Sequence, residues 1–429
     1  MIRPRSPQNA SVAGLASLTL LLLAVTAVPG QEPPATEYAW ATAYAIPKEL
    51  TNIGEGYFSI VPGLDDRLYI GACNHGLGAY LVEFNPRTEE MRVAVDAHKA
   101  IGITAKGFAA QAKIHTRNNV GESGRIYCAT KQGYPDQNET RTNYPGGYPI
   151  VYDPKAEAAK VYDIVPIQHS GVISITPDES RGVAYLSTCS DERPNSTHFL
   201  ILNLKTGKYR DLGDLRHMYA FIVIDHLGRA YHPVLGGEIA RYDPKSGKLE
   251  RLKQTIDGKV PTPQSGLTKP TTNLINWDIA PDRKTLYAVA MDVNQLYAYD
   301  LTAEGDTIPG RSLGPLITGA KTTDCRNLVV GPTGEVWAAL LADNLAKLAS
   351  YKPGDTAPVD RGVLAIRNQG FTKLTDDAGK SLPAHHAIKK LEDGTMVPLY
   401  PYGGITQAYD RTVYVTTLAP YTLLKMEAR

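Results

Sequence analysis

The sequence predicts an all-β chain folded as a seven-bladed β-propeller of four-stranded antiparallel blades, and three observations carry that expectation. Seven times a Gly, Pro or Asp turn is followed within a few residues by an aliphatic residue or Ala and then a large aromatic: Tyr69, Tyr127, Tyr185, Tyr231, Tyr287, Trp337 and Tyr414. Recurrence at such spacing marks a repeat architecture, in which one supersecondary unit cannot bury its apolar face alone. A second mark lies downstream and reads Phe84-Asn85-Pro86, Tyr152-Asp153-Pro154, Leu202-Asn203-Leu204, Tyr242-Asp243-Pro244, Tyr299-Asp300-Leu301 and Tyr351-Lys352-Pro353. Asn, Asp and Pro are turn residues, so each copy ends one strand and begins the next. The third observation is the scarcity of helix signals anywhere in the chain.

The stretch 220–252 displays one whole unit: an apolar strand over 220–224, a turn over 225–228, and further strands over 229–232, 238–242 and 248–252. Four antiparallel strands per repeat make a propeller blade. The blades fall at about 55–97, 110–165, 169–213, 217–253, 273–316, 324–366 and 403–429. The last has three strands, and the apolar residues 37–46 supply the missing outer one, which closes the ring and removes exposed sheet edges. Residues 367–402 carry an additional hairpin signal, Glu392-Asp393-Gly394 between Ile388 and Met396-Val397. It reads as an insertion or as the core of an eighth blade; seven is preferred because this stretch lacks both recurring marks.

Ahead of the repeats, Arg3 and Arg5 precede an apolar run from Leu15 to Val28 and then Pro29, Gly30 and Gln31. That pattern reads as a secretory signal peptide over 1–30, leaving 31–429 as the propeller domain and implying a secreted or periplasmic protein. The run is well short of the ~20 apolar residues a spanning helix needs, and no later segment is longer. With 45 basic and 44 acidic residues, the near-balanced charge gives no reason to invoke nucleic acid or an anionic membrane. The four cysteines include no CxxC and are expected as buried free thiols. A monomer is expected.

In a propeller the residues leading into each inner strand share a face with the loop joining the second and third strands. By that rule His115, His169, His217, Tyr219, Asn276, Trp277 and Arg326 converge on one channel mouth with His75, Lys131 and Tyr134 from the loops. Several independent polar residues at one end of a channel make an active-site candidate. No HxH or HExxH spacing occurs, so no cofactor is assigned, although histidines on successive blades leave a divalent metal geometrically feasible. His385 and His386 are adjacent and point opposite ways on a strand. There is neither a phosphate-cradling glycine loop nor a GxSxG elbow.

A mouth rich in His, Tyr and Arg but poor in carboxylates, Asp324 being the main exception, suits β-elimination at a uronic acid. Arg or a cationic His neutralises the carboxylate, a His or Tyr takes the proton from the neighbouring carbon, and a second His or Tyr protonates the departing oxygen. Glycoside hydrolysis instead commonly uses two carboxylates. The expected partner is an anionic polysaccharide or oligosaccharide.

Seven irregular blades behind a leader, with Lys113-Ile114-His115-Thr116 opening the second blade and His and Tyr at the mouth, resemble the propeller polysaccharide lyases. The ulvan lyases and the lyases that act between rhamnose and glucuronate are the nearest in pattern, and a propeller rhamnosidase family is similar too. The resemblance implies a His, His, Tyr, Arg set: His115, then His169 or His217, Tyr219 and Arg326 as the catalytic residues. This chain departs from the pattern in having Tyr134 and Pro135 where the family's second histidine is expected. His75 corresponds loosely to the rhamnosidase type of site, so hydrolysis stays open, as does a non-catalytic glycan- or protein-binding role.

Overall fold

The computed structural model describes residues 36–427 apart from 53, 191–195, 218–220, 262–274, 369–387, 402 and 419. The expected leader, Tyr219 and the pair His385 and His386 lie outside the described residues.

Seven four-stranded antiparallel units follow one another. The first is Ile60–Pro62, Leu68–Ala72, Tyr80–Asn85 and Glu90–Asp96. In the second, the short strands Lys113–Ile114 and Asn119–Val120 share the inner position against Ile126–Lys131, with Pro149–Asp153 and Ala158–Val161 outside. The third runs Ser170–Asp178, Val183–Ser190, His198–Asn203 and Tyr209–Asp214. The fourth and fifth occupy 223–256 and 275–314, and their outer strands meet in parallel from Lys253↔Thr307 to Ile256↔Gly310. The sixth begins with Thr323–Cys325 and Val329–Val330 and ends with Val359–Ile366. Strands Ile405–Gln407, Val413–Thr417 and Thr422–Met426 make up three quarters of the seventh.

Its fourth strand is Tyr38–Ala45, antiparallel to Thr422–Met426 and parallel to the outer strand of the sixth unit. Ala39, Ala41 and Ala43 alternate inward along it, and small side chains are what the narrow space between two sheets accepts. Inner strands of neighbouring units touch around the array, and the last, Ile405–Gln407, touches the first, Ile60–Pro62. The hairpin expected near Glu392 exists as Ile388–Lys390 and Met396–Pro398, attached to the edge of Val359–Ile366 through Ile366↔Met396.

The two sequence marks have local causes. All seven aromatics stand on the second strand of their unit. In the first unit the turn carboxylate Asp65 accepts the Tyr69 hydroxyl at 2.7 Å, and in the fourth Asp225 accepts that of Tyr231 at 2.9 Å. Each such bond lets a large ring be buried without orphaning its polar tip. The second mark is an Asx turn: Asn85, Asp153, Asn203, Asp243 and Asp300 each accept the backbone N–H two residues ahead at 2.8–3.1 Å. A single α-helical turn, Ala97–Ile101, is capped by the Asp96 side chain and ended by Gly102 at φ 82°. Among the described residues no helix is long and apolar enough to cross a membrane.

Candidate active site

At one end of the channel, the first and second units bring together Glu55, Tyr57, His75, Lys113, His115, Lys131 and Tyr134. The ladder explains much of this. Lys113 is on the short inner strand Lys113–Ile114 and His115 directly follows it, two residues on and on the same side, while Ile114 between them goes into the core. Lys131 is the cross-strand partner of Lys113. Both lysines are buried, at 3% and 4% exposure. The loop after the first unit's second strand delivers His75, held by reciprocal bonds to Asn52: His75 N to Asn52 Oδ1 at 2.9 Å and Asn52 Nδ2 to His75 O at 2.8 Å.

The ring of His75 stacks on Tyr134, centroids 4.8 Å apart and planes 12° apart. The Lys113 ammonium lies 3.6 Å from the Tyr134 centroid and 5.1 Å from that of Tyr57, a cation–π arrangement that helps to hold a charge away from water. Tyr57 meets His115 edge-on at 4.1 Å. Its hydroxyl donates to Glu55 Oε2 at 2.6 Å and lies 2.7 Å from the Tyr134 hydroxyl. Since the single Tyr57 proton goes to Glu55, Tyr134 is the donor of the second bond. The result is a directed chain, Tyr134 to Tyr57 to Glu55.

Charge states follow from burial and these neighbours. Desolvation, with Lys131, Lys113 and His75 adding to it, holds the His115 pKa well below the usual imidazole range. His115 is therefore neutral at neutral pH and able to accept a proton. Burial first, and Lys113 besides, also lowers His75, against the pull of Glu55, which faces it at 3.6 Å. For Glu55 burial pushes upward, but contacts with His75 and Tyr57 and the Lys113 charge outweigh it, so the carboxylate is favoured. With His75 neutral, its lasting support is the Tyr57 hydroxyl and Lys113. Tyr57, driven upward by burial and by Tyr134 and Glu55, keeps its proton.

Several buried polar atoms here have no hydrogen-bond partner within the protein: Nδ1 of His75, whose Nε2 has only Glu55 at 3.6 Å, and both amide atoms of the buried Gln132. Buried polar groups are ordinarily satisfied. A site left with donors and acceptors to spare is arranged for a polar ligand.

The remaining expected residues sit elsewhere. His169 leads into the third unit in the left-handed region, φ 59°, and its Nδ1 donates to Tyr144 O at 2.9 Å. Tyr144 in turn donates to Gln111 Oε1 at 2.7 Å. His217 is fully buried in the fourth unit, near His232, whose Nε2 accepts from Ser187 Oγ at 2.9 Å. Arg326, on the sixth unit, is bound in bidentate fashion to Asp324 at 2.9–3.2 Å. Trp277 is wholly buried among Leu286, Ala288 and Tyr297 in the packing between blades, its indole donating to Phe221 O at 2.6 Å. Asn276 lines a cavity at the opposite end of the channel. Glu55, Tyr57 and Lys113 are the members that the list of expected site residues lacked, although Tyr57 and Lys113 both belong to the segments leading into inner strands. Among the described residues no group of three or more His, Cys, Asp or Glu side chains is placed to hold a metal ion.

No protein-family model matches the chain, and no curated protein matches it. Solved β-propellers do. Streptogramin B lyase aligns at TM-score 0.54 with 13% identity, over 90% of this chain and 97% of that one. The β-propeller domain of Myceliophteria thermophila Cps50 (Swd1) aligns at TM-score 0.55 with 11% identity, over 91% and 100%. A fungal alcohol oxidase of the AA5 family, in complex with copper, aligns at TM-score 0.51 with 11% identity, over 88% and 76%. At such identities the likeness is one of fold, and the chain is a β-propeller.

Proposed function

We propose that the chain is a lyase that cleaves a uronate-containing glycan by β-elimination at the Lys113, His115 and Lys131 cluster. What supports the reading is a neutral buried histidine flanked by two buried ammonium groups. Lys113 and Lys131 take the substrate carboxylate, which makes the proton on the adjacent carbon more acidic. Neutralising them also relieves part of the depression of the His115 pKa, so binding of the substrate itself brings the base closer to its working range. His115 accepts the C5 proton, the C4–O bond breaks, and a C4–C5 double bond forms. The departing oxygen takes a proton from the Tyr134 hydroxyl, which Tyr134 recovers from solvent.

In this proposal the protein works outside the cytoplasm as a monomer, in keeping with the expected leader, and His169, His217, Tyr219 and Arg326 are not assigned to the chemistry. Incubation with a panel of uronic-acid polysaccharides checks the reaction: an unsaturated uronate absorbing in the ultraviolet is expected. Saturated reducing ends without that absorbance mean hydrolysis instead, and no product from any member of the panel removes the lyase reading.

A further inference from the structure

The channel is divided across its middle. Phe58 touches His115 on one side, centroids 5.5 Å apart, and Phe221 at 5.2 Å. The Arg117 guanidinium lies 5.6 Å from the Phe221 ring and crosses to the fifth unit, where it pairs with Asp278 at 2.6 Å and bonds the Trp277 carbonyl. Beyond this layer, where the inner strands end, lies a cavity of about 270 Å³. Its wall includes the two phenylalanines, the Arg117–Asp278 pair, Asn118 and Gln407.

Two amide atoms in that wall are buried without a partner, and their neighbours fix which is donor and which acceptor. Thr116 Oγ1 accepts from Ala129 N, so its own proton goes to Asn118 Oδ1, which also receives Ser59 Oγ, both at 2.9 Å. Asn118 Nδ2 is therefore the unsatisfied end, with two N–H donors unspent. Gln407 Nε2 donates to the Arg411 carbonyl at 3.1 Å, so Gln407 Oε1 is an unspent acceptor. Gly331, another residue of the wall, leaves that oxygen room which a Cβ would take. Leaving such groups unmet costs ~1–3 kcal/mol each.

We propose that this cavity is a second binding site, for a single neutral sugar ring or a polyol of that size. Arg117 and Asp278 cancel, so the wall offers a ligand no net charge. A hydroxyl answers both the amide donor and the amide acceptor, and the phenylalanine rings offer apolar surface to the C–H face of a sugar. A space of about 270 Å³ accommodates one ring. The inference stands on this cavity alone and does not depend on the elimination chemistry at the other end.

Titration of the full chain with glucose, galactose, mannose and xylose, followed by saturation-transfer NMR and calorimetry, tests it. Saturable binding of at least one sugar is expected, at least about tenfold weaker in Gln407→Met, in line with one lost buried hydrogen bond. It should be absent in Val330→Trp, which puts an indole on the cavity wall, and unchanged in Lys113→Met at the other end of the channel. Binding that survives Val330→Trp, or that disappears with Lys113→Met, overturns the assignment. Crystals of the unaltered protein soaked in the same sugars give a reading that needs no variant. Density for a sugar ring in the cavity supports the site, and water alone refutes it.

Discussion

Lys113 and Lys131 face one another across a ladder, and His115 stands just past the end of the Lys113 strand, so three side chains that would all gain from water are buried together. Burial and the two lysine charges together depress the ability of His115 to hold a proton, and that gives two measurable effects. His115→Asn should lower turnover by about 10²–10⁴-fold, the usual contribution of a positioned base. Lys113→Met removes one of the charges that lower the His115 pKa, so the acidic limb of the rate profile should move to higher pH while the rate itself falls. A limb that stays in place would show that Lys113 does not act on His115. Stability carries a related signature through His232, which burial lowers from 6.5 to about 3. The unfolded chain takes up a proton near 6.5 that the native ring refuses, so the native state is favoured above that pH and loses ground as pH falls towards 3. Between about pH 7 and about pH 5 this costs about 2 kcal/mol, visible as a falling urea midpoint that flattens in His232→Asn. His115 was legible at the start of an inner strand, and Lys113 stood in the same segment without being singled out as a site residue. Glu55 was not, because Gly54-Glu55-Gly56 has the composition of an ordinary turn. Its neighbour His75 lies 20 residues downstream, and Tyr134, which completes the hydrogen-bonded chain through Tyr57, lies 79.

Strand by strand, the turn-plus-aromatic marks locate every second strand because the ring follows closely on the turn, and in the first and fourth units the turn carboxylate is hydrogen-bonded to it. They do not set the register of the inner strand, where one residue of slip exchanges the channel face for the blade face. Asn276 and Trp277 illustrate this. Pairing of Asn276 with Val289 and of Trp277 with Ala288 turns the asparagine to the channel and the indole into the packed layer. The N-terminal strand is legible for the opposite reason: its need for a partner and the one-strand shortage of the last unit are both visible in sequence. Ala41 is fully buried between two sheets, and Ala41→Leu should cost about 1–3 kcal/mol through overpacking. Removing residues 37–45 should do more, exposing the edge of Thr422–Met426 and producing a lower melting temperature together with concentration-dependent association. A truncated chain that melts like the full one would mean that this strand contributes nothing to closure.

Across the described residues, the array is held by contacts between successive units, by the Phe58–Phe221 contact and by a charged tie that crosses the channel. Cys73, Cys128, Cys189 and Cys325 are buried free thiols in four different units, and burial pushes the first, second and fourth up to about 12. Native protein should therefore resist thiol reagents and release four reactive groups only on unfolding, which a labelling time course in denaturant reads directly. The tie is Arg117 with Asp278, joining the second unit to the fifth. Asp278 also accepts the backbone N–H of Val330 in the sixth unit at 2.8 Å, so one carboxylate fixes three blades at the level of the septum. Both partners are largely shielded, at 17% and 14% side-chain exposure. Arg117→Met leaves a shielded carboxylate without its cation and should destabilise by about 3 kcal/mol, near the lower end for a broken buried pair. Asp278→Asn keeps an acceptor for Val330 and should cost less. In a double-mutant cycle the two changes should be strongly non-additive, because once one charge is gone the other substitution removes a penalty rather than a bond. Additive losses would instead assign the stability to separate contacts, Arg117 with the Trp277 carbonyl and Asp278 with Val330. The septum would then be two local anchors and not a strut across the ring.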